Sequence, residues 1–248
     1  MFNKSYREFS QIYDLLMVDI DYENWTSFII NKIGGSRKIL EAACGTGNIT
    51  QILADKNYKV TAFDISQDML VRAYSKLGRS PGVKLLSLDM TNFKIDDKFD
   101  AAICCCDGIN YIDENEAKRF FKNIYNHLAS NSKFIFDIST KYKYVTMFND
   151  TYVYDDGEIF YVWENEAYGQ NKSVNMEINF FVRNDGNKYI RINEIQTQYI
   201  HNTKVLTRLL KEAGFSKIEI YDDYCEKPLS ETSLRAVFCS AKISEDDC

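Results

Sequence analysis

Hydrophobic and polar positions change period several times along this chain, and each change predicts an element. Phe9, Ile12, Tyr13, Leu16 and Met17 recur at three and four, as do Trp25, Phe28, Ile29 and Ile33, which predicts two amphipathic helices with a bend around Asp19 to Tyr22. From Arg37 the pattern shifts. A short apolar run enters the turn Gly45-Thr46-Gly47, a helical stretch follows, and a second run, Tyr58 to Phe63, stops at Asp64. Ser66 is placed to cap a further helix whose apolar face is Met69, Leu70, Ala73 and Leu77. Val83 to Leu88 forms a third strand ending at Asp89. Phe99 to Cys106 is almost continuously apolar, as a parallel strand covered on both faces should be. A helix over Glu114 to Leu128 and a fifth strand ending at Ile138 complete this half.

Between Tyr142 and His201 the period becomes two. Thr151 to Tyr154, Ile159 to Trp163, Val174 to Val182 and Tyr189 to Ile200 have strand character, separated by turns containing Asp155-Asp156-Gly157, Gly169-Gln170-Asn171 and Asn184-Asp185-Gly186-Asn187. This predicts a small antiparallel sheet inserted into the parallel fold. Helical periodicity then returns over Thr203 to Ala213, with Asn202 as cap, Leu206, Leu209 and Leu210 facing the core and Gly214 as terminator. Phe215 to Tyr221 and Leu234 to Ala241 are the last two strands, and the acidic tail Ser244 to Cys248 is expected to fray.

Composition narrows the picture. At 248 residues, 45% of them hydrophobic, the chain can bury a sizeable core. No apolar run reaches the roughly twenty residues that span a bilayer, and no signal-type segment follows Met1, so a cytoplasmic protein without membrane attachment is expected. Net charge is −6 with no dense lysine and arginine block, which argues against a nucleic-acid partner. The seven cysteines are an odd number, and Cys104-Cys105-Cys106 fall within an apolar strand, so neither a disulfide framework nor a metal site is expected.

The chemistry concentrates between Arg37 and Asp64. Gly45 and Gly47 permit a sharp turn and close backbone approach to a ligand, and the first turn of the next helix presents free N–H groups. Asp64, at the end of the second strand, lies where an acid accepts hydrogen bonds from ribose hydroxyls, so an adenosine-type ligand is expected. A Gly-x-Gly turn alone is shared by NAD, FAD and S-adenosylmethionine enzymes. Thr50 stands at the third position of the dinucleotide fingerprint, and Glu41 at the strand end would repel a pyrophosphate while suiting a ligand with an ammonium and a sulfonium.

This stretch resembles the cofactor motif of the class I S-adenosylmethionine-dependent methyltransferases, an acid followed by Gly-x-Gly and then by an acid ending the second strand. Leu88-Asp89-Met90, Phe99 to Ile103 and Phe134 to Asp137 continue the likeness over most of the chain. The resemblance implies an α/β fold: a Rossmann-like seven-stranded, mostly parallel sheet with helices on both faces and an antiparallel seventh strand. Residues 1–140 and 202–248 would form the cofactor-binding domain, with 1–33 as a helical cap and 141–201 as the inserted β subdomain.

S-adenosyl-L-methionine is the implied cofactor. Its site would hold Tyr6 and Tyr13 from the cap, Glu41, Ala43, Gly45 and Gly47 from the first turn, Asp64, Ile65 and Met69, Asp89 and Met90 at the adenine, and Cys106. The loop Asp107 to Tyr111 leaves the fourth strand beside the crevice, so Tyr111 is expected to face the substrate. The inserted sheet would wall that site, with Trp163 and Arg235 on the wall. No residue is assigned a catalytic role: His127 sits late in a helix and His201 just ahead of one. A small-molecule methyl acceptor, an amine or a hydroxyl, is expected. A cofactor-binding partner subunit without catalysis and an NAD-dependent oxidoreductase are the competing readings.

Overall fold

The computed structural model describes residues 12–14, 16–147, 151–168, 172–184 and 188–244. In chain order the first half holds α1 (Tyr22–Ile33), β1 (Lys38–Ala42), α2 (Asn48–Asp55), β2 (Lys59–Asp64), α3 (Gln67–Leu77), β3 (Val83–Ser87), β4 (Phe99–Cys104), a 3₁₀ turn (Gly108–Tyr111), α4 (Glu114–His127) and β5 (Leu128–Ser139). The second half holds α5 (Lys141–Met147), β6 (Tyr152–Asp155), β7 (Ile159–Tyr168), β8 (Ser173–Asn184), β9 (Lys188–Tyr199), α6 (Thr203–Ala213), β10 (Ser216–Asp222) and β11 (Arg235–Lys242).

Seven strands make one sheet in the order β10-β11-β5-β4-β1-β2-β3. The pairs β1–β2, β1–β4, β2–β3 and β4–β5 are parallel, and β11 runs antiparallel to both β5 and β10. Strand order reverses beside β1, so the crevice beyond the carboxyl ends of β1 and β4 is the topological switch point. The core lies on both faces of this sheet. One face buries Leu40, Phe63, Phe99, Phe121, Phe134, Phe136 and Phe238, the other Ile29, Ile39, Val60, Ile103, Ile135 and Val237. Phe238 pairs with Phe136 across β11 and β5 with centroids 4.6 Å apart, a contact worth about 0.5–1.5 kcal/mol beyond its area.

Helix ends follow local rules. Asp113 and Glu116 form a capping box that starts α4 next to the crevice. Asn202 caps α6, and Gly214 ends it in the left-handed region. Asp21 accepts the Asn24 N–H to start α1.

The four strands β6-β7-β8-β9 form a separate antiparallel sheet. Ile178, Phe180 and Ile192 on its inner face pack with Ile12 from the segment ahead of α1 and with Met69 of α3. A second contact joins Val174 and Met176 to Tyr144 of α5.

Some elements differ from the sequence expectation. β4 ends at Cys104, because Cys106 and Asp107 both adopt left-handed φ values, 57° and 61°. Helix α5 was not expected from Lys141-Tyr142-Lys143-Tyr144, whose alternation imitates a strand; Thr140 Oγ1 accepts the Lys143 N–H, and Tyr144 alone is buried. The first part of the helix expected ahead of α1 and the acidic tail beyond Ser244 lie outside the described residues.

Candidate active site

The carboxyl ends of β1, β2 and β4 converge on a cavity of about 430 Å³. After β1 the chain passes through Ala43, Gly45 and Gly47, with φ of 52°, 54° and 78°. The two glycines serve different ends. A Cβ on Gly47 would stand 2.8 Å from Leu77 Cδ1 and 3.3 Å from Ala73 Cβ, so glycine lets α3 pack against the turn. At Gly45 nothing lies within 4 Å of that position, and the residue lines the cavity.

Two acids flank this turn. Asp64 accepts the Gly45 N–H with Oδ2 and the Ser66 N–H with Oδ1, both at 2.8 Å, so the end of β2 and the glycine turn are held as one piece. Burial raises its carboxyl pKa against the pull of these N–H groups. Glu41 is 3% exposed and accepts a 2.6 Å hydrogen bond from Thr50 Oγ1. Burial, with a smaller contribution from the Asp64 charge, pushes its carboxyl up to about 7 despite that bond. Beyond β3, Asp89 accepts the N–H and hydroxyl of Thr91, and Leu88, Asp89 and Met90 all line the cavity. Ile65 and Met69 complete this end.

The segment ahead of α1 closes over the turn. Asp14 accepts Thr46 Oγ1 at 2.6 Å and Asn48 Nδ2 at 3.2 Å and pairs with Lys76 at 2.6 Å. This clamp places Tyr13 and Tyr22 on the cavity wall. Burial raises both phenol pKa values, so both stay protonated near neutrality.

The fourth strand supplies the opposite wall through Cys105, Cys106 and Gly108. A Cβ on Gly108 would come within 2.7 Å of Cys104 Sγ and 3.1 Å of Ala43 Cβ, so the 3₁₀ turn sits directly on the β1 turn. Three side chains fix that turn to the rest of the molecule. Asn110 donates to Tyr199 O and accepts the Ser139 N–H, and His201 Nε2 donates to the carbonyls of Ile109 and Ile112, 3.0 Å from each. Tyr111 then reaches β9, its hydroxyl donating to Gln196 Oε1 at 2.8 Å.

Most of the residues expected at the site are gathered here: Tyr13, Glu41, Ala43, Gly45, Asp64, Ile65, Met69, Asp89, Met90, Cys106 and Tyr111 all line the one cavity. Tyr6 lies outside the described residues. Gly47 shapes the turn from behind and does not line it. Arg235 is a correction: expected on the substrate wall, it is instead held behind the loop by Asp107 and Asp137 and lies over the Trp25 ring. Two carboxylates in a buried setting hold the guanidinium more firmly than an open wall would. The Arg235 charge, with Lys143, outweighs burial and holds the Asp107 carboxyl below its ordinary value, while burial leaves Asp137 raised to about 6. Trp163 is also absent from the lining: it packs beside Ile178 and donates Nε1–H to Asn165 Oδ1. Sequence reasoning missed Tyr22, Asn48, Glu116 and Gln196 as lining residues and His201 as a pin. Only Asn48, next to Gly47, carried a local signal.

A parallel sheet with an antiparallel seventh strand, a glycine turn at the switch point and one acid on either side of it define a class: an α/β protein that binds an adenosine-type cofactor beyond its strand ends. Comparison with known proteins narrows the class. The family model described as "Methyltransferase domain" matches residues 39–131. Over 246 residues the chain is 33% identical to a Geobacillus sp. (strain WCH70) protein, covering 96% of this chain and 100% of that one. Over 240 residues it is 32% identical to Bacillus subtilis (strain 168) YqeM, covering 96% and 97%. Both carry the name "Putative methyltransferase". The crystal structure of an S-adenosylmethionine-dependent methyltransferase from Clostridium acetobutylicum ATCC 824 superposes with a TM-score of 0.87 at 36% identity, covering 96% of this chain and 99% of that one. The chain belongs to the class I S-adenosylmethionine-dependent methyltransferases, and S-adenosylmethionine is its cofactor.

The residues present fit that cofactor. Gly45 leaves open the space a side chain would fill, Asp64 and Asp89 bring carboxylate oxygens to the cavity, and Glu41 is a nearly dry acid whose ionised form a ligand cation would stabilise. Among the described residues no group of His, Cys, Asp and Glu is arranged to hold a metal ion, and no helix is long and apolar enough to cross a membrane.

Proposed function

We propose that this methyltransferase acts on a small or medium organic acceptor through an amine or a hydroxyl. One observation carries the reading: a single cavity reaches from Asp64 and Asp89 to Tyr111 and Gln196, room for cofactor and acceptor side by side. In this reading Asp64 holds the ribose, Asp89 and the Met90 N–H the adenine, Glu41 the ammonium end, and Tyr13 covers the cofactor. Tyr111 faces the acceptor, and residues 141–201 act as the acceptor-side subdomain of a fold built from 1–140 and 202–248.

When bound, S-adenosylmethionine supplies an electrophilic methyl carbon and a leaving group that needs no protonation. The chain's task is then alignment and exclusion of water, which the 3₁₀ turn, the two cap tyrosines and the inner face of the second sheet serve. Neither histidine is on the cavity wall: His201 is buried on backbone carbonyls, and His127 accepts the Ile95 N–H through Nε2 while its Nδ1 contacts Asn123 O. An acceptor whose methylation needs no histidine base suits such a site. The net charge of −6 speaks against a nucleic-acid acceptor, and the free thiols at Cys44, Cys104, Cys105, Cys106, Cys225 and Cys239 support a reducing, cytoplasmic setting.

Calorimetric titration of wild type and Asp64→Ala with S-adenosylmethionine tests the site assignment. Loss of the ribose partner weakens binding by about 1–3 kcal/mol, roughly five- to 150-fold. Unchanged affinity would remove Asp64 from the site.

A further inference from the structure

The acceptor end of the cavity has a definite chemistry. Tyr13, Tyr22 and Tyr111 all line the cavity, and the Tyr13 phenol lies within electrostatic reach of the other two as well as of Cys106 at the strand end. Burial raises the Tyr13 and Tyr22 phenols, so these two rings offer neutral π faces and no anionic base. Glu116 and Gln196 add polar groups beside Tyr111.

Charge along the wall is one-sided. Glu41, Asp64, Asp89 and Glu116 line the cavity, and among the described residues no Lys, Arg or His does. The nearest basic groups of the loop are turned away: Arg235 is taken by Asp107 and Asp137, and Lys143 by Ser139 Oγ at 2.9 Å and Asp107 at 3.7 Å. Strand β9 continues the trend. Glu194, Gln196 and Gln198 alternate onto one face, opposite Ile178, Met176 and Val174 of β8. Buried Glu194 accepts from Gln196 Nε2 at 3.4 Å, which places a carboxyl group directly behind the wall.

Resting on the methyltransferase reading above, we propose that the acceptor is an amine that enters as an ammonium ion, held between the tyrosine rings and the wall of Glu116 and Gln196, with the Glu194 carboxyl behind it. A cation over aromatic faces is attracted by their quadrupoles, and a wall of acids and amide oxygens complements it. With Glu41, Asp64 and Asp89 engaged by the cofactor, a carboxylate or phosphate acceptor would meet Glu116 and no Lys, Arg or His within the lining. As the nitrogen–methyl bond forms the sulfonium–methyl bond breaks, leaving S-adenosylhomocysteine; from ammonium to N-methylammonium one proton is released overall, to water. An incoming ammonium ion loses one proton to expose its lone pair, and the ring hydroxyls are not called upon as bases.

A shape-matched pair of probes tests the assignment on the full chain loaded with S-adenosylhomocysteine: 2-phenylethylammonium and 3-phenylpropionate, titrated by NMR or calorimetry. The ammonium probe should bind about tenfold more tightly than the carboxylate, and Gln196→Lys should reverse that order. S-adenosylhomocysteine binding by the variant reports that it is folded. Equal or tighter binding of the carboxylate to wild type, or no binding of the ammonium at millimolar concentration, overturns the proposal. Failure of wild type to take up S-adenosylhomocysteine is a separate outcome, which strikes the cofactor site on which the proposal rests and overturns both.

Discussion

Glu41 shows how one buried residue can couple ligand binding to pH. Burial, which disfavours the charge, pushes its carboxyl up to about 7 from an ordinary value of 4.5. Between these values the native state holds a proton that the unfolded chain has released. The contribution of Glu41 to stability is therefore present below 4.5 and is lost as pH rises through 7. A ligand cation at this position favours the ionised form, so binding releases a proton. The affinity for S-adenosylmethionine should fall by up to about tenfold per pH unit below 7 and level off above it, and Glu41→Gln should flatten the profile. Calorimetry in two buffers of different ionisation enthalpy would count the protons. Proton uptake, or a flat wild-type profile, would contradict this role.

The 3₁₀ turn after β4 is the element on which the site depends most. Its chain begins with two consecutive left-handed residues, Cys106 and Asp107, a conformation costing about 1–3 kcal/mol each that persists only when its surroundings over-determine it. Here the surroundings are Arg235 on Asp107, Asn110 against Tyr199 and Ser139, and His201 under Ile109 and Ile112. Burial keeps His201 neutral by lowering its pKa, so its stabilising effect is present above the ordinary value of 6.5 and is lost as acid charges the ring. His201→Ala takes the side-chain donor from two buried carbonyls, of which Ile109 O keeps the Ile112 N–H, and should cost about 1–3 kcal/mol in urea unfolding at neutral pH. The same change should raise the acceptor KM more than the Kd for S-adenosylhomocysteine, because Tyr111 sits on this turn. Equal effects on both would argue that the pin supports the whole sheet and not the turn.

At the scale of the molecule, the cavity draws its walls from both sheets. Asp64 and Glu41 belong to the parallel sheet, Gln196 to the antiparallel one, and Tyr13 lies between Ile12 and Asp14, which contact Met69, the second sheet and the glycine turn. A ligand bound there favours the state in which all these parts are in place. At a hundred times its Kd, S-adenosylmethionine should add about 2.7 kcal/mol to the unfolding free energy and raise Tm by roughly 5–10 °C, with NAD producing no shift. A thermal melt with each ligand measures this directly. Stabilisation by NAD would contradict the cofactor assignment.

The parallel fold and its cofactor were legible in the sequence because they depend on short-range patterns. The turn between Glu41 and Gly47, the acid that ends β2, and the apolar runs of β1 and β4 each lie within one element or its immediate neighbour. The hairpins of the second sheet were legible for the same reason, from period-two runs and glycine turns. The long-range contacts around the cavity were not, since they join pairs far apart in the chain: Tyr111 with Gln196, His201 with Ile109, Asp14 with Thr46 and Arg235 with Asp107. No local period marks such pairs, and a charged residue near a strand end reads the same whether it faces a ligand or, like Arg235, two buried carboxylates. The sequence alone determined most of the elements and the kind of cofactor. The packing of the second sheet and the N-terminal segment onto the first decided which side chains meet at the cavity, because side-chain direction and charge pairing exist only once the elements are in contact.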